Sequence, residues 1–105
     1  MTETEFAAKS TAILDYIEDA FDSVEFDVDI DRKGDGVVEI EFASGSKIVI
    51  NTQAPMRQIW LAAKSGGFHF RGETGDWLDT RSGEPLMTVL ARVASEQSGS
   101  RISFD

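Results

Sequence analysis

The 105-residue chain contains no cysteine and a single histidine, His69. The first absence excludes a disulfide, a thiolate nucleophile and thiolate metal ligation. The second excludes a two-histidine facial triad for iron and a multi-histidine zinc site within one chain. No G-x-S-x-G turn is present to bring a serine to His69, and no Walker A loop or G-x-G-x-x-G follows a strand. No apolar run approaches the roughly 18 residues of a membrane-spanning helix. The start, Met1 to Glu5, is acidic where a signal or transit peptide is basic, so a cytoplasmic location is expected. No catalytic residue set emerges, and the expectation is a binding protein rather than an enzyme.

Bases are also scarce where acids are dense. Ten acids (Glu3, Glu5, Asp15, Glu18, Asp19, Asp22, Glu25, Asp27, Asp29, Asp31) share residues 1 to 31 with one base, Lys9. Residues 32 to 105 hold nine acids and nine bases, so the whole net charge of -9 sits in the first third. Such a field repels nucleic acid and anionic membranes and attracts cations or basic protein surfaces.

What is there reads as one domain, its 41 % hydrophobic content being enough for a single core. Thr2-x-x-Glu5 forms a capping box ahead of Phe6, Ile13, Ile17, Ala20 and Phe21 at helical spacing, which predicts a helix over 3 to 22. From Glu25 the period is two: Phe26, Val28 and Ile30 alternate with Glu25, Asp27, Asp29 and Asp31 in a half-buried strand. After a turn at Gly34, Asp35 and Gly36 come strands at Val37 to Phe42 and Lys47 to Asn51. Pro55 precedes a strand over Met56 to Ala63; Gly66-Gly67 turns into Phe68 to Arg71; Gly72 to Gly75 is a loop; and Trp77-Leu78 is a short last strand. Ser82 is expected to cap a second helix with Glu84 and Pro85 in its first turn, Leu86, Val89, Leu90, Val93 and Ala94 as its apolar stripe and Gly99 at its end. Ile102 to Phe104 should pack back on the body. The order predicts an α+β, two-layer sandwich with both helices on one face of an antiparallel sheet and the other face open.

On the first helix Asp15, Glu18, Asp19 and Asp22 fall in an arc of roughly 100° opposite Phe6, Ile13 and Ile17. The non-core face of the next strand extends the stripe with Glu25, Asp27, Asp29 and Asp31. The bland alternative is a solvated face, or charges that keep an edge strand from aggregating. Against it, like charges one turn apart repel, and Glu18, Asp19 and Asp22 crowd a helix end that prefers cations. Carboxylates without imidazole or thiolate suit hard cations, among them iron, held weakly with water completing the shell. Asp27-x-Asp29-x-Asp31 is no EF-hand, having Arg32 in place of the required glycine and Val38 in place of the closing acid. On the sheet, Ile59 and Leu61 facing the helices force Gln58 and Trp60 to the open face near Val49 and Asn51. Trp60 is then either a contact anchor or a shield over the strands. His69 fits either face.

The run Asn51-Thr52-Gln53-Ala54-Pro55-Met56-Arg57-Gln58-Ile59-Trp60-Leu61-Ala62 resembles the N-x-Q-x-P-x-x-Q-[IV]-W-L-[AS] segment of the frataxin family at every fixed position. Gly66-Gly67-Phe68-His69-Phe70, Trp77 and Arg81-Ser82-Gly83-Glu84 resemble its bacterial, CyaY-type branch. The resemblance implies a frataxin-like sandwich and weak iron binding at Glu18, Asp19, Asp22, Glu25, Asp27, Asp29 and Asp31. It also implies docking on a cysteine desulfurase and on the iron-sulfur scaffold protein, with Asn51, Gln53, Gln58 and Trp60 matching the sheet contact surface. Ser23 departs from the acid often found there. The function expected on these grounds is an iron-binding, monomeric adaptor that regulates iron-sulfur cluster assembly and can oligomerise with iron; the alternative is a ferrous iron donor, ferroxidase or iron-storage protein. Asp15 joins the expected metal residues from the helix stripe, and Glu18, Asp19 and Asp22 are expected to meet a basic surface of the desulfurase.

Overall fold

The structure, a computed structural model, describes residues 1–24, 27–34, 36–72 and 76–104. Helix α1 spans Glu3–Asp22. Strands β1 (Val28–Lys33), β2 (Val37–Phe42), β3 (Lys47–Gln53), β4 (Gln58–Ala63), β5 (Gly66–Arg71) and β6 (Leu78–Asp79) follow, and helix α2 spans Leu86–Ser98. All six strands pair antiparallel with their sequence neighbours, so the sheet runs β1 to β6 in chain order. Both helices pack on one face of it, as predicted. Among the described residues no helix is long and apolar enough to cross a membrane.

The core forms where the two periodicities meet. Phe6, Leu14, Ile17 and Phe21 line the inner side of α1, and Leu86, Val89, Leu90, Val93 and Ala94 that of α2. They close on Val38, Ile40, Phe42, Ile48, Ile50, Ile59, Leu61 and Phe70, alternate residues of β2 to β5. Burying each such side chain contributes roughly 1.5–3 kcal/mol before chain entropy is subtracted. The capping box starts α1: Glu5 N donates to Thr2 Oγ1 (3.1 Å) and Thr2 N donates to Glu5 Oε1 (3.3 Å). Gly99 ends α2 in the left-handed region, φ 73°. The tail then folds back, with Ile102 N donating to Ser95 Oγ (2.9 Å) and the Phe104 ring lying 5.2 Å from that of Phe21.

Several boundaries differ from expectation: β1 runs on to Lys33 past Asp31, and β3 runs on to Gln53 past Asn51. The strand expected from Met56 begins at Gln58, because Ala54–Met56 form a 3-10 turn around Pro55. Arg57 closes that turn in the left-handed region (φ 53°); its Nη1 donates to the Ala54 carbonyl and its Nη2 lies 3.9 Å from Glu3. Gly66 and Gly67 belong to β5 rather than to a turn, since Lys64 and Ser65 suffice to reverse the chain. The last strand is Leu78–Asp79, one residue later than expected. Ser82 does not cap α2: its hydroxyl donates to Asp79 Oδ2 (2.8 Å) and accepts from Glu84 N (3.2 Å). The helix therefore starts three residues later, with Pro85 rather than Ser82 at its cap. Phe26, Asp35 and the loop residues 73 to 75 lie outside the described residues.

Candidate functional site: an acidic edge and an open sheet face

Strand β1 is the edge of the sheet, and acids flank it on both sides. Asp29 and Asp31 alternate with Ile30 and so lie on the face away from the helices, opposite Glu41 and Glu39 of β2. Like charges directly opposite destabilise a sheet pair, and the compensation here is unequal. Glu39 receives Lys33 Nζ (2.9 Å) and Lys47 Nζ (3.0 Å), and these hydrogen bonds hold its carboxyl below the usual range. Asp27 and Asp29 line a shallow cleft with Glu41, Phe42 and Gly45. Glu39 and Glu41 extend the acidic face beyond the stripe read from the sequence.

On the helix side of the same edge, the expected stripe is partly neutralised. Arg32 occupies the phase of Val28 and Ile30, opposite the fully buried Val38, and therefore points toward α1. Its Nη1 donates to Asp15 Oδ1 (2.7 Å) and to Glu18 Oε1 (3.2 Å). The guanidinium is held above its ordinary pKa, first by the Asp15 hydrogen bond. The stripe of unneutralised acids expected on α1 is thus shortened at its N-terminal half. Among the described residues no salt bridge engages Asp19, Asp22, Asp27, Asp29 or Asp31. No base stands in the last turn of α1 to offset Asp19 and Asp22. Ser23 is the C-cap, its hydroxyl turned back to the Ala20 carbonyl (2.9 Å). Glu25 lies outside the described residues.

These donors suit a hard cation by their chemistry, but they are strung along an edge. Among the described residues no three His, Asp or Glu side chains converge on one point. The arrangement fits an ion held at the surface with water in most of its shell rather than a resident site.

The open face carries the second half of the site. Asn51, Trp60 and His69 are cross-strand partners in one row; Gln53, Gln58 and Arg71 form the next. Register thus places His69 beside Trp60, while Phe70 turns into the core. The indole and imidazole stack, with centroids 4.3 Å apart and planes 9° from parallel. Trp60 Nε1 donates to Gln58 Oε1 (2.8 Å), so the indole is fixed from its edge as well as its face. All four sheet residues expected in contact, Asn51, Gln53, Gln58 and Trp60, lie on this face, each half-buried.

A family model described as "Frataxin-like domain" matches residues 1–100. The chain belongs to the frataxin family. It is 47 % identical to the iron-sulfur cluster assembly protein CyaY of Cupriavidus taiwanensis over 99 % of this chain and 96 % of that one. Its structure is similar to that of the frataxin of Psychromonas ingrahamii, with a TM-score of 0.91, 32 % identity and coverage of 100 % and 99 % of the two chains. It also resembles the trimeric frataxin of Saccharomyces cerevisiae complexed with ferrous iron, with a TM-score of 0.74, 26 % identity and coverage of 88 % and 87 %.

Three features of this frataxin edge and face escaped the sequence reading. Arg32 was accessible: continuing the alternation Val28, Ile30, Arg32 puts it on the helix side, one residue past the acidic run. Glu39 and Glu41 share the phase of Val37 on β2, past the acidic run of residues 1 to 31. His69 could be placed only once its register to Trp60 was known.

Proposed function

We propose that this protein is a non-catalytic adaptor of iron-sulfur cluster assembly. It binds iron weakly along the β1 edge, through Asp19, Asp22, Asp27, Asp29 and Asp31, and docks on a cysteine desulfurase and a cluster scaffold protein. Family membership supplies the process, since the relative from Cupriavidus taiwanensis bears the name of an iron-sulfur cluster assembly protein. The observation that carries the reading is the pairing of two surfaces on one sheet: an acidic edge with five carboxylates outside any salt bridge among the described residues, and a half-buried Trp60 on the open face, braced by His69 and Gln58. The first attracts a basic surface over a long range, and the second offers a rigid aromatic anchor at short range. Carboxylates spaced along an edge support a role in contact and cation capture rather than a framed reaction centre. In the cytoplasm such a protein works as a monomer presenting both surfaces to one assembly.

Calorimetric titration of the protein into purified cysteine desulfurase, scaffold protein and their complex tests this. Saturable binding to the desulfurase or to the complex is expected, weakening as salt rises. No binding to any of the three defeats the proposal.

A further inference from the structure

We infer that Arg32 is a built-in counterion that withholds Asp15 and Glu18 from cations, so that the ridge proposed above captures them through Asp19, Asp22 and the β1 acids. The inference rests on that proposal and refines it. Asp15 and Glu18 lie one turn from Asp19 and Asp22 on the same side of α1, so sequence alone makes all four equivalent. The structure makes them unequal. One guanidinium nitrogen reaches both Asp15 (2.7 Å) and Glu18 (3.2 Å), and the Arg32 side chain is only 18 % exposed while that of Asp15 is 60 % exposed. Arg32 enters from beneath, from the core-facing phase of the edge strand, with its stem between β1 and α1. An incoming cation at Asp15 or Glu18 must therefore compete with a resident charge that cannot deprotonate. Among the described residues no salt bridge sets such a rival at Asp19 or Asp22, although Arg101 lines a cleft with Asp19. The cost of that competition is the strength of a partly exposed ion pair, which predicts a change in affinity of about 1.5- to 5-fold when Arg32 is removed.

The test is a titration of Mn2+, a hard divalent probe, into the intact protein by calorimetry at 0.15 M salt. Arg32→Gln is expected to tighten Mn2+ binding by that factor. Lys9→Gln removes a charge from the same helix without releasing these carboxylates and should change affinity less. Adding Asp15→Asn and Glu18→Gln to Arg32→Gln should abolish the excess. Arg32→Lys keeps the charge and should retain an affinity near that of the unaltered protein, with a thermal melt confirming that each variant folds. Equal tightening by Arg32→Gln and Lys9→Gln, an excess that survives loss of Asp15 and Glu18, or tightening by Arg32→Lys equal to that by Arg32→Gln overturns the inference and leaves the proposed function standing. No measurable Mn2+ binding by the unaltered protein or by Arg32→Gln overturns the inference together with the cation-binding part of that function.

Discussion

Trp60 and His69 lie face to face across β4 and β5, 4.3 Å between ring centroids, on the sheet face that the helices leave open. Ile59 and Leu61 on either side of Trp60 are buried in the core, so the indole contributes nothing to the packing beneath the sheet. Its internal partners are His69 and Gln58. A stacked aromatic pair is worth about 0.5–1.5 kcal/mol beyond burial. Trp60→Ala should therefore cost about 1 kcal/mol of stability while weakening scaffold binding at least tenfold. Chemical denaturation beside a binding titration separates the two effects. A stability loss above about 3 kcal/mol would make Trp60 a structural residue.

Asp79 is buried yet charged, at the turn that leads from β6 into α2. Burial pushes its carboxyl up, but the Ser82 hydroxyl and the backbone N–H groups of Arg81 and Ser82 together outweigh burial and leave it below its ordinary value. A carboxyl lowered by folding contributes stability that is fully present above the unfolded pKa of about 3.9 and is lost as pH falls through the folded value. Asp79→Asn should thus be destabilised at pH 7 by about 1–3 kcal/mol. Urea unfolding of both proteins should show that difference shrinking below about pH 4. A constant difference from pH 7 to pH 3 would contradict the account of Asp79.

Gly72 has no room for a side chain. A Cβ there would stand 2.6 Å from Cζ3 and 2.7 Å from Cη2 of Trp77, whose ring is buried and packs edge-on to Phe6 at 5.9 Å. Gly72→Ala must displace the indole or the β5 end, at a cost of about 1–3 kcal/mol. The Trp77 fluorescence should shift toward that of an exposed indole, best read in a Trp60→Phe background. An unchanged melting temperature would show that the indole yields freely.

Local signals made most of the fold legible. The Thr2 and Glu5 box set the start of α1, the runs Val37 to Phe42 and Lys47 to Asn51 set two strands, the second two residues short of its end at Gln53, and Gly99 set the end of α2. Failures came where a residue had two possible partners. Ser82 looks like a cap until Asp79, three residues before it, takes its hydroxyl. Pro55 looks like a boundary before a strand, and only the left-handed Arg57 shows that a 3-10 turn intervenes. Gln97 gave no signal at all, although it joins α2 to the β2–β3 and β4–β5 connections: Oε1 accepts from Lys64 N (2.9 Å) and Nε2 donates to the Lys47 carbonyl (3.1 Å). Such bonds span 33 and 50 residues and carry no local pattern.

For the site, the sheet face was legible because period two leaves Gln58 and Trp60 no other side once Ile59 and Leu61 are inside. The acidic edge was legible as charge but not as pairing. Arg32 stands one residue past the acidic run, and its position in the strand phase brings it under α1.

The carboxylates outside salt bridges along the acidic edge, Asp19 and Asp22 among them, are expected to meet a basic partner surface. Asp19→Lys with Asp22→Lys tests this most directly, because neither residue touches the core or Arg32 and the fold should survive, as a thermal melt would verify. Titrated against the cysteine desulfurase at 0.15 M salt, the doubly reversed protein is predicted to bind at least tenfold more weakly than the unaltered one, about 1.4 kcal/mol. An affinity equal to that of the unaltered protein would contradict the account.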